Sequence, residues 1–116
     1  MKQIVASILA DMVEHEQGQP KHIQHFLKVH AFARYIGQKE QLDEKTLFTL
    51  ELAALVHDIG INPSLAKYHS SAGQYQQIEG PPLARRMLAR YDIANDMIER
   101  VCYLVAHHHT YTHMEG

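Results

Sequence analysis

From Leu47 to Val56 the chain reads Leu-Phe-Thr-Leu-Glu-Leu-Ala-Ala-Leu-Val, interrupted only by Thr49 and Glu51. A run this apolar is too short to cross a bilayer and has to be enclosed by other protein segments. It leads directly into His57-Asp58-Ile59-Gly60. The chain therefore delivers an imidazole and a carboxylate side by side at the end of a buried approach. Cores exclude both types unless each has a partner. A divalent cation that takes the imidazole nitrogen and the carboxylate oxygen together is one such partner.

The rest of the pattern is helical. Ile4, Ile8 and Met12 repeat every four residues beside Val5 and Leu9, which predicts an amphipathic helix over residues 3–16. Gln17-Gly18-Gln19-Pro20 breaks it. A second helix spans 21–36, with Ile23, Phe26, Val29, Ala33 and Ile36 on its core side and Gly37 as its stop. Asp43 is the expected cap of a third helix that runs to Asp58, with Leu42 and Leu47 closing a hydrophobic staple. Gly60 ends it. Residues 61–80 read as an irregular stretch with a short helix around Leu65–Tyr68. Pro81-Pro82 suit the first turn of a helix over 81–90. Asp92 would cap a last helix over 93–109. No segment alternates like a strand, so the expected fold is an all-α bundle of about five helices, one domain over residues 1–116.

Composition sets outer bounds. A net charge of -2 gives no footprint for a nucleic-acid polymer or a membrane surface. The single cysteine, Cys102, has no partner within the chain, which points to a reducing, cytoplasmic location. It sits in an apolar helix and reads as a small core residue.

His25 stands four and eight residues before Val29 and Ala33, a spacing that points it inward. His57 and Asp58 reach one ion if it lies near the helix end, and His25 completes the set from the neighbouring antiparallel helix. Neutral imidazole suits zinc, iron, manganese or nickel, and a carboxylate adds charge and hardness. Three protein ligands leave positions for water, whose pKa the metal lowers, and the same ion can clamp a phosphoryl oxygen. Vacant iron positions would instead bind dioxygen. The alternatives are plainer: a core histidine at 25, and a helix-end histidine with a solvated aspartate at 57 and 58.

His25-Phe26-Leu27-Lys28-Val29, with Ala33, followed by Leu55-Val56-His57-Asp58-Ile59-Gly60, resembles the HD superfamily of metal-dependent phosphohydrolases. The likeness covers residues 20–110, ending on Val101, Val105 and His108-His109. It implies an HD-type helical bundle. His25, His57 and Asp58 would hold a divalent metal (Zn, Mn, Fe, Ni or Mg), and Asp58 would also orient or deprotonate the water. His108 or His109 would steady the phosphate or protonate the leaving group. Lys28 and Lys67 would contact a small phosphorylated metabolite or nucleotide, though both also fit as surface lysines. A homodimer is compatible with the resemblance.

The chain departs from the family pattern twice. No aspartate follows Asp96, where the family carries a late one; either a last helix is missing from the chain or the metal has fewer protein ligands here. Gln76 or Gln77 stands where two-metal members carry a further histidine, which favours one metal over two; His69 would be a substitute. Two other readings stay open, an HD-fold diiron oxygenase and a non-catalytic ligand-binding or regulatory module. His22 and His30 are expected at the surface or behind the ligands. Arg85-Arg86 read as a solvated face, and Tyr68 and Tyr75 as residues that line a pocket or pack the loop.

Overall fold

In a computed structural model the backbone is described for residues 2–115 and the side chains for residues 2–107. All regular structure among the described residues is α-helical, as the periodicity predicts. The helices are α1 (Lys2–His15), α2 (Pro20–Lys39), α3 (Glu44–Val56), α4 (Ile61–Tyr68), α5 (Gly73–Leu88) and α6 (Asn95–Glu115). None of the described helices is long and apolar enough to cross a membrane. The chain divides into two compact units, Met1–Val56 and His57–Gly116.

In the first unit both α1 and α2 pack on α3. α1 contributes Ile8 and Met12, and α2 contributes Phe26 and Gly37. Leu52 through Val56 are buried without interruption, so the final turns of α3 are enclosed on every side, as an all-apolar helix requires. Leu52 and Leu55 have no exposed surface. Each burial contributes roughly 1.5–3 kcal/mol.

Pro20 opens α2 at a position where its missing N–H is not needed. The helix does not stop at Gly37, as the glycine suggests, but continues to Lys39. It ends in a paired C-terminal motif: Leu42 N–H donates to Gly37 O at 3.0 Å and Gln41 N–H to Gln38 O at 3.1 Å. Gln41 takes the left-handed conformation, with φ 56°, in the place glycine usually fills. Gly37 serves packing instead. A Cβ there would lie 2.5 Å from Leu47 Cδ1 and 3.4 Å from Leu42 Cδ1, so its absence lets the Leu42–Leu47 staple close onto α2. Asp43 caps α3 as expected, its Oδ1 accepting from Thr46 N–H at 2.7 Å.

The second unit departs further from the sequence reading. α3 ends at Val56, so His57 and Asp58 sit in a turn over residues 57–60 rather than on the helix. The stretch 61–80 is mostly helix: α4 fills Ile61–Tyr68, and α5 begins at Gly73. Pro81 and Pro82 therefore lie inside α5 instead of at its start. An interior proline costs about 3 kcal/mol through a lost hydrogen bond and a ring clash. Packing outweighs that here, because the turns on both sides of the pair are anchored. Before it, Gly80 meets Gly60 backbone to backbone. After it, Ala84, Met87 and Leu88 are buried on the helix that packs against α6. α6 supplies Ile98, Val101, Cys102 and Val105 to that core. It starts at Asn95 rather than 93, since Met97 and Ile98 N–H donate to Ala94 O and leave Asp92 before the helix.

Candidate functional site

His57 and Asp58 are held from both sides by buried backbone. Val56 before them has no exposed surface and Ile59 after them is 1% exposed. Asp58 O accepts from Ile61 N–H at 3.1 Å, and Gly60 O accepts from Ser64 N–H at 3.0 Å, which turns the chain into α4. Gly60 is there because nothing larger fits: a Cβ would lie 2.9 Å from Gly80 N and 3.3 Å from Gln76 O. The site-bearing turn is thus pinned against α5 by two glycines.

That fixation sets the pair's geometry. His57 Nε2 lies 3.1 Å from Asp58 Oδ2, with the side chains 16% and 19% exposed. Two ligand atoms each about 2.1 Å from one ion stand about 3.0 Å apart at a right angle and about 3.4 Å apart at the tetrahedral angle. The separation is that of a hydrogen-bonded ion pair, and it equally matches the one that shared coordination needs. The donor types, one imidazole and one carboxylate, suit zinc and the other divalent transition ions.

His25 lies on α2 in the first unit and is exposed, where its alignment with Val29 and Ala33 predicted burial. The face α2 turns to α3 passes instead through Phe26, His30 and Gly37. His30 Nε2 bonds Glu51 Oε1 of α3 at 3.0 Å, and Leu47 and Leu50 of α3 crowd Gly37. Ile36, expected in the core, is 55% exposed for the same reason. Lys28 is also exposed.

Gln76, one of the two glutamines that the resemblance sets where two-metal members carry a histidine, is buried. Its Nε2 donates to Ser71 O at 2.6 Å. Its Oε1 has no hydrogen-bond partner among the described residues, and neither does the buried Ser64 Oγ. Gln77 is exposed. Gln76 thus ties the start of α5 to the segment before it. His69 is exposed and takes the left-handed conformation that closes α4, with φ 57°.

Lys67 belongs to α4 rather than to a loop. Its Nζ lies 3.4 Å from Glu79 Oε2, and the same oxygen accepts from Tyr68 O–H at 3.0 Å. The Glu79 carboxylate, then the neighbouring Tyr68, push the Lys67 ammonium above its ordinary pKa. Tyr68 and Tyr75 stack with ring centres 4.3 Å apart, so both tyrosines join α4 to α5. Arg85 is paired with Glu99 on the surface. Cys102 is buried as expected, and its Sγ lies 3.7 Å from Pro81 O. His108 and His109 fall on α6, but their side chains lie outside the described residues.

Two histidine pairs had no sequence signal. His22 Nδ1 bonds the buried Glu16 at 3.0 Å, and His30 bonds Glu51. Their partners are six and 21 residues away, spacings that no local periodicity connects.

The family model described as HD domain matches residues 22–115. No curated protein and no solved structure matches significantly.

Proposed function

The chain belongs to the HD domain family, and from that premise we propose that it hydrolyses a phosphate ester or anhydride of a small metabolite or nucleotide. The family is the metal-dependent phosphohydrolase superfamily, whose members generally bind divalent ions. On this reading His25, His57 and Asp58 are the set that holds the ion, each offering one imidazole nitrogen or carboxylate oxygen. When bound, a divalent ion supplies a water of lowered pKa and charge neutralisation for the phosphoryl group.

The remaining tasks fall to the chain's own groups. Asp58 has a second carboxylate oxygen with which to orient the water or take its proton. Partial burial keeps competing solvent away from the His57–Asp58 pair. Lys28, exposed on the same helix as His25 and one turn along, would meet a phosphate. Lys67 is a weaker candidate for that role because Glu79 already engages it. His108 or His109 would steady the phosphate or protonate the leaving group.

One observation carries the proposal: a partly buried His57–Asp58 pair at ligand separation, inside the family match. Gln76 favours one ion over the two that a diiron oxygenase needs. It is a poor ligand, and its amide N–H is already committed to Ser71 O. The test is elemental analysis of the purified protein together with phosphate release from a panel of nucleotides and sugar phosphates. His57→Ala should lose both bound metal and turnover. A metal-free His57→Ala protein that still releases phosphate would sink the mechanism. Metal without turnover on the whole panel would favour a binding module.

A further inference from the structure

The first unit carries a second concave site that the proposed hydrolase chemistry does not use. A cleft of about 490 Å³ lies between α1 and α2, floored by α3. That volume is in the range of small-molecule sites. Each helix contributes one face, read from residues three or four apart, and the three faces differ in chemistry. α1 offers Val5, Ala6 and Leu9, with Lys2 at its first turn. α3 offers Leu47 and the buried Phe48. α2 offers His30, Arg34 and Gln38 at strict four-residue intervals, a row of polar groups on one wall.

These groups are not equally available. His30 and Glu51 satisfy each other at 3.0 Å, both largely buried, at 12% and 13% exposure. The pair fixes the inner end of the polar wall and takes the Glu51 carboxylate out of play. Arg34 follows one turn later, and among the described residues it has no carboxylate partner. A guanidinium with a free fork beside an apolar floor favours a planar, singly charged anion, which it can engage with two parallel hydrogen bonds. Glu44 and Lys2, also on the lining, carry opposite charges and offset each other. The one remaining guanidinium fork matches a planar carboxylate in charge and shape.

We propose that this cleft is a binding site for a small amphipathic carboxylate. The head group is gripped by Arg34, and the apolar body lies along Val5, Leu9 and Phe48. Head and tail fall on opposite walls because α2 presents its polar row while α1 presents its apolar one. The site is independent of the metal chemistry: none of its residues is among His25, His57 and Asp58.

The test uses the full-length protein, isotope-labelled, titrated with octanoate below its micelle concentration and followed by amide NMR shifts. Saturable shifts should concentrate in residues 30–38 and 44–51. Octanol, which lacks the charge, and octylammonium, which reverses it, should each bind at least tenfold more weakly. Arg34→Gln, a change at an exposed position, should weaken octanoate at least tenfold. Ala6→Phe should fill the cleft and block octanoate while leaving phosphate release unchanged. The proposal is overturned if octanoate gives no saturable shifts, if octanol or octylammonium binds as well, or if either variant fails to weaken it.

Discussion

Replacing Gly60 with alanine tests whether the turn carrying His57 and Asp58 is set by backbone packing. The added methyl would lie 2.9 Å from Gly80 N, 3.1 Å from Gly80 Cα and 3.3 Å from Gln76 O. Comfortable carbon contacts are about 3.5–4.0 Å. All three neighbours are backbone atoms, so no side chain can swing away, and α5 has to retreat by roughly half an ångström or more. Overpacking of this kind costs about 1–3 kcal/mol. Gly60 has φ -81° and ψ -5°, which alanine adopts freely, so the stiffer unfolded chain returns about 0.4–1 kcal/mol. The net loss is about 1–2 kcal/mol, or about 4–8 °C in Tm for a domain of this size. Gly80→Ala is the internal control. Its methyl would meet Val105 Cγ1 at 3.1 Å, a side-chain tip, and the Gly60 backbone only at 3.8 Å or beyond. Its gain of about 1 kcal/mol in helix propensity is opposed by the contact between a new Cβ and the Pro81 ring, so it should cost less than Gly60→Ala. Thermal melts and urea titrations of both variants decide the matter. Gly60→Ala at least as stable as the parent, or Gly80→Ala costing more than Gly60→Ala, would refute the reasoning.

Further outcomes are expected. Leu55 has no exposed surface, so Leu55→Ala should lose about 2–5 kcal/mol in urea unfolding. Leu65→Ala, at a side chain 44% exposed, should change stability by less than about 0.5 kcal/mol. Hydrogen bonds from the Thr46 side chain and backbone hold the Asp43 carboxyl below its ordinary pKa. Its stabilising effect is therefore present above the unfolded value of about 3.9 and lost as pH falls through the lower folded value. A carbon-detected titration of Asp43 with a midpoint at or above that unfolded value would contradict the cap. Burial pushes the Cys102 thiol up, partly countered by Arg85. Its neutral form is the one the fold favours, so stability should fall as pH rises past the unfolded thiol value of about 8.5. In the native protein iodoacetamide should modify Cys102 far more slowly at pH 8 than in urea; equal rates would count against its burial.

The helices were legible where apolar spacing, caps and breakers agreed. α1 and the start of α3 fall within a residue or two of the positions that periodicity and Asp43 predict. Local preference misleads where a distant contact overrules it. Gly37 looks like a helix stop but is a packing glycine beneath Leu47. Pro81-Pro82 look like a helix start but lie mid-helix, because Gly60 and the α6 core hold the turns around them. α2 is turned by a fraction of a turn from the orientation its apolar residues suggest, which leaves His25 and Ile36 exposed and brings His30 onto Glu51. Several faces of α2 carry apolar residues, so periodicity alone does not choose among them.

By itself the sequence determined the all-helical class and the delivery of His57-Asp58 at the end of a buried run, since both follow from residue types at short spacing; the family rests on a likeness that runs over residues 22–115. Tertiary structure decided that the pair sits in a turn at 3.1 Å, that Gln76 is a buried tether, and that a cleft opens between α1 and α2. Those outcomes depend on which atoms meet across tens of residues, and local pattern carries no record of such meetings.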